Sequence, residues 1–218
     1  LHLLSRLVFI LHNPAFKAAL RRQVTCEDLM GELAAAFPRA KLAGADVSHV
    51  GLDLARERFA AAEYLEIGAD GVVPAEDGSF ELITMIDVIE HVIDASRTAR
   101  ALHRLLRPGG WAVLTTPCAN KGSIAWFFNL LTNGFEETLD GYGRFRTDEP
   151  AHLRRLRSRD ARRLLTDAGL EVDAVRWWGH LFTAIADAGP GIARLPLPMR
   201  QSLARADWRM GRRLPNGS

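Results

Sequence analysis

The chain predicts an α/β fold, a doubly wound and mostly parallel sheet. Three observations carry this. Short apolar runs alternate with helical periodicity from Leu42 to Pro117, the pattern of strands joined through helices. The run ELITMID is nearly continuous in apolar residues, as expected of a strand buried on both faces. An apolar strand ends in Asp46, which puts a carboxylate at the carboxyl edge where open α/β sheets hold ligands.

Each element follows from its own signals. Residues Leu1–Gln23 read as helix, with Leu4, Leu7, Val8 and Leu11 on one face and a break at Asn13-Pro14. Asp28–Phe37 is a second helix, ended by Pro38. Lys41–Val47 is a short buried strand, Leu52–Ala62 a helix and Glu63–Ile67 a strand. Gly68–Gly78 is a loop rich in Gly, Pro and Asp. Phe80–Asp87 is strand, and Ile93–Leu106 is helix with Ala99, Leu102 and Leu105 inward. Pro108-Gly109-Gly110 makes a sharp turn into strand Trp111–Thr116. Ser158–Ala168 is helix, stopped by Gly169, and Leu170–Trp177 is a further strand. Pro190–Pro215 carries a basic helix, Met199–Arg213.

Residues 118–151 interrupt this rhythm. They hold Trp126, Phe127, Phe128, Phe135, Tyr142 and Phe145 among glycines and polar residues. Such an insertion after a strand end is a lid over substrate, or a small helical subdomain whose aromatics pack on each other. No internal repeat or long linker appears, so the 218 residues form one domain.

Composition narrows the functional classes. Net charge is +2, so no strong polyanion partner is implied. Residues 151–218 hold thirteen arginines, no lysine and six acids, a net of +7, and the first 150 residues carry −5. That basic end meets an acidic partner, or it is a solvated surface. Only Cys26 and Cys118 are present, without metal-type spacing, so neither a disulfide framework nor a metal is expected and a reducing cytoplasm is. The opening run LHLLSRLVFIL is too short to span a bilayer and lacks the features of a signal peptide. The start at Leu1 reads as a processed or trimmed chain, and the closing Pro-Asn-Gly-Ser reads as a turn toward a further strand.

The motifs LAGADVS, FELITMIDVIEHV, LRPGG and TTP, followed by HLRRLRSRDARRLLTDAGLEV, resemble the class I S-adenosylmethionine-dependent methyltransferases. The likeness is to small-molecule enzymes with a D-V-x-E-H segment and covers roughly Asp28 to Trp178. It implies S-adenosylmethionine as cofactor, S-adenosylhomocysteine as product and methylation of a small molecule. By the same resemblance, Asp46 holds the ribose hydroxyls, and Val47 and Ser48 line the adenosine. A carboxylate suits that role because charged acceptors make stronger hydrogen bonds. As an alternative, Asp46 caps the next helix.

The loop GADGVVP resembles the segment that meets adenine, through Ala69 and Asp70, although the acid follows the glycine one residue late. Asp70 as a turn former is the other reading. Asp87, Glu90 and His91 lie where the resemblance puts the methionine half of the cofactor and the substrate. His91 and Asp87 are the candidate catalytic pair, since histidine titrates near neutral pH. Equally, Glu90 and His91 orient the following helix. Asn120 and His152 are candidate substrate contacts.

One departure stands out. Counting back from Asp46, the family's G-x-G-x-G loop falls on Gln23, Val24, Thr25, Cys26 and Glu27, and none is glycine. Glycine is used there because the backbone must approach the cofactor closely. Loss of the first strand and loop, a degenerate domain, or a pocket rebuilt by the first helix would each explain it. The expectation is a single methyltransferase-like domain over residues 1–218: an atypical N-terminal helix (1–27), the insertion (118–151) and a basic helix (190–218). It acts on a small molecule with an apolar body, of the lipid, quinone or natural-product classes. The alternative is a catalytically inactive domain acting through protein contacts. No nucleic-acid partner is expected, and a homodimer is one way to cover an open sheet edge.

Overall fold

The structure, a computed structural model, describes residues 38–121, 124–146, 148, 150–177 and positions 196, 198, 199, 202 and 206. The expected helices before residue 38, the motif positions Gln23–Glu27 and most of the helix expected after residue 190 lie outside the described residues. The chain divides into two compact units, Leu1–Ala75 and Glu76–Ser218.

The described part of the first unit is a strand–helix–strand. β1 (Ala43–Asp46) pairs in parallel with β2 (Glu63–Glu66), Asp46 opposite Glu66; it is not the buried strand expected, since Ala43, Ala45 and Asp46 are exposed among the described residues and only Gly44 is half-buried. Between them α1 spans His49–Arg58. It starts earlier than its apolar pattern predicts because Ser48 caps it: the Ser48 hydroxyl accepts the Gly51 N–H at 3.1 Å, satisfying a donor that the first turn leaves unpaired. It also ends earlier, where the Tyr64 hydroxyl reaches the carbonyls of Phe59 (2.7 Å) and Ala55 (3.0 Å). Leu52 is the buried anchor of α1.

The second unit opens with β3 (Phe80–Ile86), α2 (Ala95–Leu105) and β4 (Leu106–Thr115). β3 and β4 are parallel, Leu82 opposite Trp111 through Ile86 opposite Thr115. The register jumps between Phe80 and Leu82 because Arg107–Gly110 loops out of the ladder. Glycine is required in that loop: Gly109 has φ +74°, and a Cβ on Gly110 would lie 2.9 Å from the Arg107 carbonyl oxygen. The Asp94 carboxylate caps α2 by accepting the Arg97 N–H at 2.8 Å, which excludes the preceding Ile93 from the helix. Ala95, Ala99, Leu102 and Leu105 are all buried, one stripe at helical spacing as the sequence predicts.

α4 (Ser158–Asp167) packs on α2, and Ile89, Ala95, Ala99, Leu156 and Leu164 form the core there. Gly169, at φ +91°, ends α4. The strand expected at Leu170–Trp177 does not form among the described residues. Its apolar alternation is present, but no described backbone pairs with it. The segment is tied by side chains, Arg162 to the Val172 carbonyl and Trp177 to the Ser158 hydroxyl.

The insertion folds as α3 (Ile124–Leu131) followed by the antiparallel pair β5 (Phe135–Glu136) and β6 (Arg144–Phe145). Its aromatics pack on each other. Trp126 and Phe135 lie 6.1 Å apart, and Phe135 meets Phe145 edge-on at 5.5 Å. Phe145 is 2% exposed, under the Arg155 guanidinium. A small aromatic core is therefore one of the insertion's roles.

Candidate functional site

In the first unit the feature of interest is the turn after β1. The Asp46 side chain is exposed and its Oδ1 accepts the Ser48 N–H at 2.7 Å. Ser48, not Asp46, supplies the helix cap. Asp46 Oδ2 has no partner among the described residues, so an exposed charged acceptor stands at the carboxyl end of a parallel strand. That acceptor fits a ribose diol, whose hydroxyls have hydrogens to donate. Val47 is 70% exposed beside it. Ser48 is spent on the cap. Ala69 and Asp70 are both exposed, and Asp70 Oδ1 accepts the Val72 N–H at 3.1 Å, which makes Asp70 a turn former whatever else it does.

In the second unit the segment after β3 gathers Asp87, Glu90 and His91. Asp87 has φ +51°, left-handed backbone that few non-glycine residues adopt. Thr115, at the end of β4, holds it there. The Asp87 N–H reaches the Thr115 carbonyl and hydroxyl, both at 3.1 Å, and the hydroxyl donates to Asp87 Oδ1 at 2.9 Å. Strain of this kind collects at functional positions. Glu90 is 1% exposed; its Oε2 accepts the Thr116 hydroxyl at 3.1 Å, and its Oε1 is buried with no partner among the described residues.

His91 is exposed, and its Nδ1 lies 2.9 Å from the Ala151 carbonyl oxygen. A carbonyl only accepts, so Nδ1 carries the hydrogen. In the neutral ring the lone pair then sits on Nε2, which has no partner among the described residues. The His152 ring stands 4.8 Å from His91, centroid to centroid, and its buried Nδ1 has no partner among the described residues. Glu90, His91 and His152 thus bring three donor atoms within 4.8 Å of one another, a grouping able to hold a metal ion that the spacing of the cysteines did not signal.

Asn120, the candidate substrate contact, has its side chain engaged within the fold. Its amide donates to the Ser158 hydroxyl at 2.7 Å and its oxygen accepts the Ser158 N–H at 2.8 Å, so it fastens the start of α4. A further cavity of about 360 Å³ opens in the insertion, walled by Trp126, Phe135, Tyr142, Phe145 and Arg157. Three groups there or nearby are shifted. Burial pushes the Cys118 thiol up, against the Asn120 hydrogen bond and the Arg155 charge. Burial and the Asp140 and Asp160 charges push the Tyr142 phenol up. Burial would raise the Asp140 carboxyl, but hydrogen bonds from Thr138 and Arg154, with the Arg154 charge, hold it below the usual range. Thr115, Asp140 and Arg154 were not legible as site residues. The TTP run offered a signal for Thr115; nothing local did so for the other two.

A methyltransferase-domain family model matches residues 27–175. The chain belongs to that family. Its fold is the Rossmann-like class I α/β fold, and S-adenosylmethionine is the family's cofactor. The chain is similar to the ubiquinone biosynthesis O-methyltransferase of Pseudomonas aeruginosa, 32% identical over 96 residues, 42% of this chain and 40% of the relative. It is similar to the enzyme of the same name from Ralstonia nicotianae, 30% identical over 136 residues, 54% of this chain and 57% of the relative. The chain thus spans 40–57% of the length of these curated relatives. Among solved structures, the YcgJ protein of Bacillus subtilis superposes with a TM-score of 0.50 at 19% identity, over 79% of this chain and 70% of that one. That last likeness concerns the fold alone.

Proposed function

We propose that this chain is an S-adenosylmethionine-dependent methyltransferase that methylates a hydroxyl of a small molecule with an apolar body. The observation that carries the proposal is the Asp87–His91 segment, a strained turn at a strand end that presents an imidazole Nε2 with no partner among the described residues. The names of the curated relatives support the hydroxyl acceptor.

The bound cofactor supplies a methyl group already activated on a sulfonium, so the protein's task is chiefly alignment and exclusion of water. Asp46 takes the ribose hydroxyls through Oδ2, while its Oδ1 stays fixed by Ser48. Val47 covers the adenosine, and Ala69 and Asp70 meet the adenine. Asp87 orients its turn through Thr115. His91 Nε2 accepts the proton of the acceptor hydroxyl, and the imidazolium so formed stays charged, stabilised by the Ala151 carbonyl that accepts its Nδ1–H. His152, beside that ring, contacts the substrate. The aromatic cavity of the insertion takes the apolar body. The working location is the cytoplasm, and the partner a small molecule; no helix of the described residues is long and apolar enough to cross a membrane.

The test is calorimetric titration of the whole chain with S-adenosylhomocysteine, repeated with Asp46→Ala and Asp46→Asn. Removing one charged acceptor from two hydroxyl donors should weaken binding by about 30-fold or more, using ~2 kcal/mol for charge-assisted bonds. Asp46→Asn keeps the Ser48 bond and should lose nearly as much. Equal binding by all three proteins refutes the Asp46 role. No binding by a folded wild-type chain favours the inactive domain, for which the glycine-free stretch Gln23–Glu27 already argues.

A further inference from the structure

The loop that bears Glu90 and His91 has no regular structure of its own, yet nearly every carbonyl in it is engaged. The chain at residues 151–154 engages them. The Ala151 carbonyl takes the His91 Nδ1–H, and the Leu153 N–H reaches the Glu90 carbonyl at 2.8 Å. Arg154 takes three more. Its Nη1 donates to the Ile89 carbonyl (2.8 Å) and the Val92 carbonyl (2.5 Å), and its Nη2 donates to the Ile93 carbonyl (2.9 Å). Its Nε bonds the Asp140 carboxylate of the insertion. A guanidinium has five N–H donors, so four are used here, and the side chain is only 3% exposed.

Burying an arginine is costly, and a single half-buried carboxylate does not make it a net source of stability. What the planar fork supplies is geometry, three carbonyls and one carboxylate fixed relative to each other. Those groups belong to two places, the His91 loop and the insertion. Arg154 also adjoins Leu153 and follows Ala151 by three residues, so its position sets where the His91 hydrogen-bond partner stands.

We propose that Arg154 is the positioning residue of His91: through Asp140 it couples the insertion to the loop, and it keeps the imidazole in the tautomer whose Nε2 is free to accept a proton. Movement of the insertion over a substrate therefore acts on the base through Asp140 and Arg154. This deepens the assignment of His91 as proton acceptor, and its functional meaning rests on that assignment. Its test does not require turnover.

The chain is labelled with ring-¹⁵N histidine and read by long-range ¹H–¹⁵N NMR, with the His91 signals identified by their loss in His91→Gln. In the wild type, His91 is expected as the Nδ1–H tautomer. Arg154→Lys keeps the charge but lacks the fork, and should move His91 toward the Nε2–H tautomer that a free imidazole prefers. Asp140→Asn, a milder change that leaves Arg154 in place, should shift it in the same direction by less. Leu164→Ala loosens the α2–α4 core and should leave the tautomer as in the wild type. Retention of the wild-type tautomer in both Arg154→Lys and Asp140→Asn overturns the proposal. So does an equal shift in Leu164→Ala, since loosening alone would then account for it. If the tautomer moves as expected while S-adenosylhomocysteine fails to bind, the positioning stands and the methyltransferase assignment falls.

Discussion

Replacing Thr115 with valine isolates the contact that holds Asp87 in its left-handed turn. Valine matches threonine in shape, so packing in half-buried β4 is kept and only the hydroxyl is lost. That hydroxyl makes two interactions: it donates to Asp87 Oδ1 at 2.9 Å and receives the Asp87 N–H at 3.1 Å. The second costs little to lose, because the same N–H also reaches the Thr115 carbonyl. The first is a bond to a carboxylate, ~1.5–3 kcal/mol where buried. Asp87 is exposed, so solvent replaces part of it. About 1–1.5 kcal/mol should remain, or roughly 2–6 °C in Tm for a chain of this size.

The companion variant is Asp87→Gly. Glycine adopts φ +51° freely, which relieves ~1 kcal/mol of backbone strain, but it loses the same hydrogen bond and loosens the unfolded chain by a similar amount. In the Asp87→Gly background, Thr115→Val should cost almost nothing, giving a coupling energy of about 1 kcal/mol. Urea melts of the four proteins measure it. Additive effects, or a Thr115→Val chain as stable as wild type, would refute the idea that Thr115 holds the Asp87 turn.

Other outcomes follow from the same geometry. Leu164 is 5% exposed in the α2–α4 core, and Leu164→Ala should cost about 3 kcal/mol by denaturant melt. Asp140 titrates below the usual carboxylate range in the fold, chiefly through Thr138 and Arg154 acting against burial. Its stabilisation is therefore full above the unfolded value of ~3.9 and is lost as pH falls through the lower folded value. The stability gap between wild type and Asp140→Asn should accordingly shrink on acidification below about pH 4; a gap that widens there contradicts the assignment. Burial raises the Cys118 thiol, so alkylation by iodoacetamide near pH 8 in a Cys26→Ser chain should run about tenfold or more below the rate of an exposed cysteine. Phe145→Ala removes the centre of the insertion's aromatic cluster and should cost about 3–4 kcal/mol, read as loss of near-ultraviolet dichroism.

Much of this protein is legible in its amino-acid order because the signals are local. The apolar run of β3 is recognisable as a strand without its partner, although the structure leaves its residues half-buried or, at Glu81, Thr84 and Ile86, exposed rather than buried on both faces; the stripe Ala99, Leu102, Leu105 needs only the helical period. Asp46 and the DVIEH segment announce themselves by type and position. What the sequence misread was decided by partners distant in the chain. Leu170–Trp177 alternates like a strand, yet a strand exists only where another backbone pairs with it. HLRRL reads as part of a solvated basic surface, but Arg154 is buried because carbonyls some sixty residues earlier turn toward it. Nothing near Asn120 in the sequence announces that its amide bonds Ser158, thirty-eight residues later. Periodicity and residue type are properties of a few neighbouring positions; the pairing of polar groups is a property of the folded whole, since every buried donor must find its acceptor wherever the chain brings one.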